Sequence, residues 1–343
     1  MDAFALYRLP HADWCTLVGQ NGMPVSLPSL RLLDGECGYV ISPFTSMTGL
    51  PTVLIRADVV MRYSTADVSR SIHELDFSLE RVDHPVDGEC REAYHEDFCR
   101  FQRTFSSSHI LKLVLARTLE VAHRGTDPLL LFEHACKRYP EAFVTLFSAP
   151  QCGMWLMATP EVLLTRDDTC WHTMALAGTM RYSDPLPTWS QKNVNEQAYV
   201  SRYINECLAR YCHDVNMNGP YTTRAGNLVH LRTDFSFSLN GDTRVGELLH
   251  SLHPTPAVCG LPKQEAQQFI MDNESIDRSY YSGFSGPFNL GGQTALYVSL
   301  RCMRILADRY RLYAGGGILP QSEESLEWDE TAAKMQAMLS LID

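Results

Sequence analysis

Two segments carry apolar residues at helical spacing. In ECREAYHEDFCRFQRTF (89–105) these are Tyr94, Phe98, Phe101 and Phe105; in SQKNVNEQAYVSRYINECLARY (190–211) they are Val200, Tyr203, Ile204, Cys207, Leu208 and Tyr211. That period predicts one amphipathic helix in each, and a shorter helix is expected over about 128–139. Strands are expected in GECGYVISPF (35–44), PTVLIRADVVMRY (51–63) and HILKLVLARTLEV (109–121), and two or three adjacent strands in EAFVTLFSAP (141–150) and GMWLMATPEVLLTR (153–166). TCWHTMALAGT (169–179), NLVHLRTDFSFSL (227–239) and ALYVSLRCMRIL (295–306) complete the inventory. Alternation in 109–121 puts Leu111, Leu113 and Leu115 on one face and Lys112, Val114 and Ala116 on the other. The strands come in groups with helices between them and show no regular βαβ alternation. This favours an α+β fold of layered, mainly antiparallel sheets over a doubly wound one. No linker or internal repeat divides the chain, so residues 1–343 are expected to form one large domain, the first 90 being the least informative.

The C-terminal stretch YAGGGILPQSEESLEWDETAAKMQAMLSLI (313–342) departs from simple patterning. Gly315, Gly316 and Gly317 form a glycine loop that permits backbone approaches a Cβ would block. Ser322 is a candidate N-cap, and Glu323 and Glu324 suit the positive end of a helix running to about Leu341. At 100° per residue, Glu327, Glu330 and Lys334 share a stripe with Met338 and Leu341. A stripe of that composition is either a solvated, i,i+4-paired face or a site where carboxylates hold a divalent cation beside an anionic ligand.

Composition narrows the partners. A net charge of −11 opposes nucleic-acid binding. The eleven cysteines include no CxxC pair, so they read as buried or free thiols of a reducing cytoplasm rather than zinc ligands. The N-terminus lacks the basic-then-apolar pattern of a signal peptide, and no apolar run is long enough for a membrane span.

Several polar residues sit in apolar surroundings. Lys112, inside a strand, is either an edge lysine snorkelling to water or a buried amine whose neutral form accepts a proton. Glu161, after Pro160, is either a strand-end charge or a buried acid. Glu196 lies on the apolar face of its helix and either pairs with an arginine or joins Glu327 and Glu330 as oxygen ligands suited to Mg²⁺. Arg301 is a cross-strand ion-pair residue or a carboxylate clamp. His253 is a core histidine or a ligand contact, and Tyr281 stands before a glycine turn where its hydroxyl can meet a ligand.

Six ordered segments carry a resemblance: KLVLAR (112–117), ATPEVLL (158–164), ALAGT (175–179), HPTPAVCGLP (253–262), RSYYSG (278–283) and AGGGILPQSEESLEWDETAAK (314–334). Together they resemble the chorismate-utilising enzymes, which include isochorismate, salicylate, anthranilate and aminodeoxychorismate synthases. The match covers about residues 90–343. It implies one domain of two stacked antiparallel sheets with helices outside and the site in a deep cleft. It implies Lys112 as the base that activates water and Glu161 as the acid that protonates the departing C4 hydroxyl. Glu196 and Glu330 would be Mg²⁺ ligands, with Glu327 close by. Arg301 and Tyr281, backbone amides near Gly316, and Lys334 would hold the enolpyruvyl carboxylate, with Gly178 and His253 lining the ligand.

Lysine at 112 and alanine at 177 match the water-using branch, since aminating members usually lack the lysine and aminodeoxychorismate synthases often carry lysine where Ala177 stands. The expectation is Mg²⁺-dependent conversion of chorismate to isochorismate, feeding menaquinone or siderophore synthesis, in a monomer or weak dimer without a glutamine amidotransferase subunit. Salicylate synthase and an inactive ligand-binding relative are the alternatives. Three positions depart from the family pattern: Asn193 for an acidic residue, Gln197 for histidine and Met180 for arginine.

Overall fold

The computed structural model describes residues 1–342 apart from 73–74, 76–78, 84–85, 87, 89, 124, 168 and 186–187. Among the described residues, two nine-stranded antiparallel sheets stack face to face. The first runs, in spatial order, through Gly260–Leu261, Lys112–Ala122, Arg309–Ile318, Cys302–Ile305, Gly153–Thr159, Phe143–Ala149, Ala3–Arg8, Trp14–Gln20 and Val59–Ser64. The second runs through Cys212–Ala225, Leu228–Leu239, Trp171–Arg181, Val162–Arg166, Thr294–Val298, Phe284–Phe288, Gly38–Ser42, Thr52–Ile55 and Val25–Leu27. Strands from before residue 65 therefore extend both sheets.

Each sheet is covered on its outer face by helices, so its central strands are buried on both sides and lack the polar alternation of a solvated sheet. Ala3–Arg8 shows this: Phe4 and Leu6 join the outer core under helices Pro128–Arg138 and Glu324–Ile342, while Ala3, Ala5 and Tyr7 face the inter-sheet core. Helices Gln191–Tyr211 and Val245–Leu252 cover the second sheet. The inter-sheet layer is rich in aromatic rings. Phe143 stacks on Tyr297 with centroids 4.3 Å apart, and Trp155 and Tyr281 both stack on Tyr313. Tyr39 reaches across it to Thr145 Oγ1 at 2.7 Å, which satisfies its buried hydroxyl. No described helix is long and apolar enough to cross a membrane.

Two expected single strands are each two strands in different sheets. Residues 51–63 divide into Thr52–Ile55 and Val59–Ser64, and 295–306 into Thr294–Val298 and Cys302–Ile305. A third crossing separates Gly153–Thr159 from Val162–Arg166. The last two crossings lie side by side, since Val298 N–H donates to Glu161 O at 2.9 Å and Ala158 N–H to Arg301 O at 3.0 Å. Glu161 and Arg301 are thus carried by the segments that step from one sheet to the other. Arg301 takes a φ of 46° there, a conformation uncommon without glycine.

A buried ion pair ties the strand bearing Lys112 to its surroundings. Arg278 donates to both Glu274 oxygens at 2.6 and 2.7 Å and to the Val114 and Val258 carbonyls, and Ala116 N–H donates to Glu274 Oε1 at 2.7 Å. Arg278→Met should cost about 3–5 kcal/mol of stability, because it strands a buried carboxylate. The Glu274→Gln, Arg278→Met double variant should recover part of that loss in a urea titration. A single variant as stable as the parent would show that the pair contributes nothing.

Candidate functional site

The Gly315–Gly317 run lies inside the regular strand Arg309–Ile318, not in a loop, and none of the three has positive φ. What the strand needs there is space. A Cβ on Gly315 would lie 2.8 Å from the Tyr281 hydroxyl, one on Gly316 3.2 Å from Glu327 Oε2, and one on Gly317 2.1 Å from Glu196 Oε1. Alternate faces of this one strand thus receive different groups. Gly315 and Gly317 line a cavity with Glu161, Glu196, Tyr281, Arg301 and Lys334. Gly316 looks the other way, toward Glu327 and Glu330, which line an adjoining cavity with Lys192 and Asn193. Gly316 itself does not line the first cavity, whereas its neighbours Gly315 and Gly317 do.

Glu161 is 3% exposed. Burial pushes its carboxyl up to about 8 against the pull of Lys112, Lys334 and Arg301, so it keeps its proton at neutral pH. Lys112 is fully buried behind Gly317, with its Cε 3.1 Å from where a Cβ there would stand, which excludes the snorkelling alternative. Its Nζ lies 2.9 Å from Glu196 Oε1, too poorly aligned to count as a hydrogen bond. Burial raises Glu196, but Lys112 and then Lys192 outweigh it and hold the carboxyl below its usual range.

Every carboxylate of the candidate metal set sits on a lysine: Glu196 on Lys112, Glu327 on Lys192, and Glu330 on Lys334 at 2.7 Å. Lys192 also feels the charge of all three glutamates. Lys334 donates in addition to Gly315 O at 2.8 Å. The helix starts at Glu324, two residues after Ser322, and its buried stripe runs Glu327, Thr331, Met335, Met338. Glu330 and Lys334 are therefore at the edge of the expected stripe, partly exposed toward the cavities.

Glu327 and Glu330 offer the carboxylate oxygens a hard cation takes. Among the described residues Glu327 Oε2 is buried without a hydrogen-bond partner, and the missing side chain at Gly316 leaves room beside both. The oxygens of Glu196, Glu327 and Glu330 do not all lie within 4.8 Å of one another, so the three do not form a closed ligand set as they stand.

Arg301 is half-buried and, among the described residues, makes no ion pair with a carboxylate. It donates to His230 Nε2 at 3.2 Å. His230 Nδ1 in turn lies 3.0 Å from Gly178 O, so the proton sits on Nδ1 and Nε2 accepts. Burial, then Arg301, lowers His230 to about 3, keeping it neutral. His230 lines the cavity, yet sequence reasoning passed over it; its only signal was a histidine inside the strand Leu228–Leu239. Lys192 was missed for a similar reason, as the first charged residue of a helix whose apolar face starts later.

Gly178 lines the cavity at a β-bulge with φ 72°, and a Cβ there would meet Asn193 Cβ at 3.1 Å. Tyr281 lines it too, only 2% exposed. His253 does not. Its ring lies against Phe284, its Nε2 is 3.0 Å from Pro43 O, and burial keeps it neutral, so it is a core histidine that fixes a turn.

The departures at 193 and 197 have structural counterparts. Gln197 Nε2 donates to Ala175 O at 3.1 Å and Thr233 Oγ1 at 3.0 Å, fastening the helix to two strands of the second sheet. Asn193 packs over Gly178. Met180 lines the second cavity.

Comparison with known proteins agrees with this layout. The chorismate binding enzyme family matches residues 72–343. Isochorismate synthase EntC of Escherichia coli (strain K12) is 29% identical over 241 residues, 67% of this chain and 62% of that relative. Thus the chain spans under two thirds of the relative's length. Among solved structures, MenF, the menaquinone-specific isochorismate synthase of Escherichia coli, superposes with a TM-score of 0.80 at 23% identity, over 99% of this chain and 89% of the other. Anthranilate synthase component I of Streptococcus pneumoniae TIGR4 gives 0.73 at 15% identity, over 98% and 92%. At such identities the structures establish the fold, two stacked antiparallel sheets with helices outside. With the family matching most of its length, the chain belongs to the chorismate binding enzymes.

Proposed function

We propose that this chain is an isochorismate synthase, a Mg²⁺-dependent enzyme that adds water at C2 of chorismate as the C4 hydroxyl leaves. The observation that carries the reading is Glu161, a carboxyl that burial keeps protonated at neutral pH, lining the same cavity as Arg301, a half-buried arginine that among the described residues pairs with no carboxylate. Support also comes from the similarity to a curated isochorismate synthase and from the presence of Lys112 together with Ala177.

Each residue then has a task. Arg301, held by His230, and the Tyr281 hydroxyl bind the enolpyruvyl carboxylate, with Lys334 behind them. Glu161 gives its proton to the departing C4 hydroxyl. Lys112 takes the proton of the attacking water as the neutral amine, the ammonium that pairs with Glu196 having first released its own proton to solvent. Glu196 and Glu330, with Glu327 alongside, would hold Mg²⁺, which supplies positive charge for the ring carboxylate. Opposite charges are thus offered at the two carboxylates, with acid and base on the ring between them.

Arg301→Lys should raise KM for chorismate about tenfold or more while lowering kcat less, since a charge-assisted bidentate contact is lost. A large fall in kcat at unchanged KM would contradict the clamp. The lyase alternative is tested by coupling turnover to lactate dehydrogenase: an isomerase releases little pyruvate, whereas pyruvate appearing as fast as chorismate disappears would mark a salicylate synthase.

A further inference from the structure

Far from the cavities, the hairpin joining Val162–Arg166 to Trp171–Arg181 brings three metal-ligating side chains together. Asp167, Cys170 and His172 place a carboxylate oxygen, a thiol sulfur and an imidazole nitrogen all within 4.8 Å of one another. His172 pairs with Thr165 across the hairpin, and Asp167 N–H donates to Cys170 O at 3.1 Å, so the turn backbone is set by the sheet.

The side chains are oriented as well as close. Asp167 Oδ1 accepts from the backbone N–H groups of Thr169 and Cys170 and from Thr169 Oγ1, each at 2.8 Å. This spends one carboxylate oxygen on the turn and aims the other, Oδ2, at His172 Nε2, 2.7 Å away. Cys170 Sγ approaches the same Nε2 at 3.3 Å. One ring nitrogen carries at most one proton and cannot serve both neighbours. Three electron-pair donors converge on one point.

We propose that this hairpin binds a borderline divalent metal, zinc being the natural occupant, through Asp167 Oδ2, Cys170 Sγ and His172 Nε2, with solvent as fourth ligand. Metal–ligand bonds of about 2.0–2.3 Å in a tetrahedron put ligand atoms roughly 3.3–3.6 Å apart. The sulfur–nitrogen separation is already of that size, and the oxygen–nitrogen pair has to open by about half an ångström. The mixed thiolate, imidazole and carboxylate set selects zinc over Mg²⁺, which prefers oxygen alone. A search for paired cysteines misses the pattern because each ligand is of a different type. Six residues separate His172 from Gly178 on one strand, about 20 Å at strand rise, so this site and the carboxylates of the cleft are distinct.

Cobalt(II) titration of the reduced full-length chain tests the assignment, because only a thiolate ligand gives the sulfur-to-cobalt charge-transfer band in the near ultraviolet. One equivalent of cobalt should produce that band, zinc should bleach it, and Glu330→Ala should leave it intact. Cys170→Ser should abolish it and His172→Ala should weaken cobalt affinity at least tenfold. Absence of the band at millimolar cobalt, or its survival in Cys170→Ser, would overturn the proposal.

Discussion

Glu161→Gln and Lys112→Ala should each turn over chorismate at least about 10²-fold more slowly than the parent chain, with chorismate binding much less affected. Glutamine keeps the shape and neutrality of the protonated acid but has no proton to give. The pH profile supplies a second readout. With its carboxyl near 8, Glu161 is protonated through neutral pH and loses its proton as pH rises through that value, so the rate should fall on the alkaline side. That limb should vanish in the glutamine variant. Lys112→Ala has a further consequence: it leaves Glu196 buried without its nearest cation, so the variant should also be less stable than Glu161→Gln. Either variant turning over at the parent rate would remove that residue from the mechanism.

Stripping the protein with EDTA should abolish turnover, and Mg²⁺ should restore it. Glu330→Ala should stay inactive at ordinary Mg²⁺ concentrations, because the cation loses a carboxylate on the helix that faces Gly316. The three lysines on the three glutamates add a condition. They neutralise the cluster when no cation is bound, so cation binding competes with existing ion pairs, and the Mg²⁺ requirement should depend on salt and pH. Lys192→Met should lower the Mg²⁺ concentration needed for half-maximal rate. Full activity in metal-free buffer would exclude the carboxylates as a cation site.

The residues that carry chemistry were legible because each broke a local pattern. Lys112 interrupts an apolar strand, Glu161 follows a proline between apolar runs, and Glu327 sits on a helical stripe that continues into Met338 and Leu341. Their order along the chain added the family resemblance, and hence the sheet stack. What hid was whatever had no pattern to break. The edge strand Cys212–Ala225 is largely exposed, so it shows no apolar alternation and was not expected. Strands Ala3–Arg8 and Trp14–Gln20 are buried almost throughout and lack polar alternation for the same reason as the central ones. The sheet-to-sheet crossings at Glu161 and Arg301 were not expected because an apolar run broken for two or three residues looks continuous. That break matters most, since it puts acid and arginine on neighbouring segments. His253 misled in the opposite direction: a motif position shared with the family holds a turn in this structure and does not line the cavity.

The central claim is a reaction, and its products decide it. Pure protein incubated with chorismate and Mg²⁺, followed by proton NMR over time, should show chorismate and isochorismate approaching a constant ratio. The same ratio should be reached starting from isochorismate, and ammonium salts should yield no anthranilate. Chorismate left unchanged in the presence of Mg²⁺, or converted to any product other than isochorismate, would contradict the account.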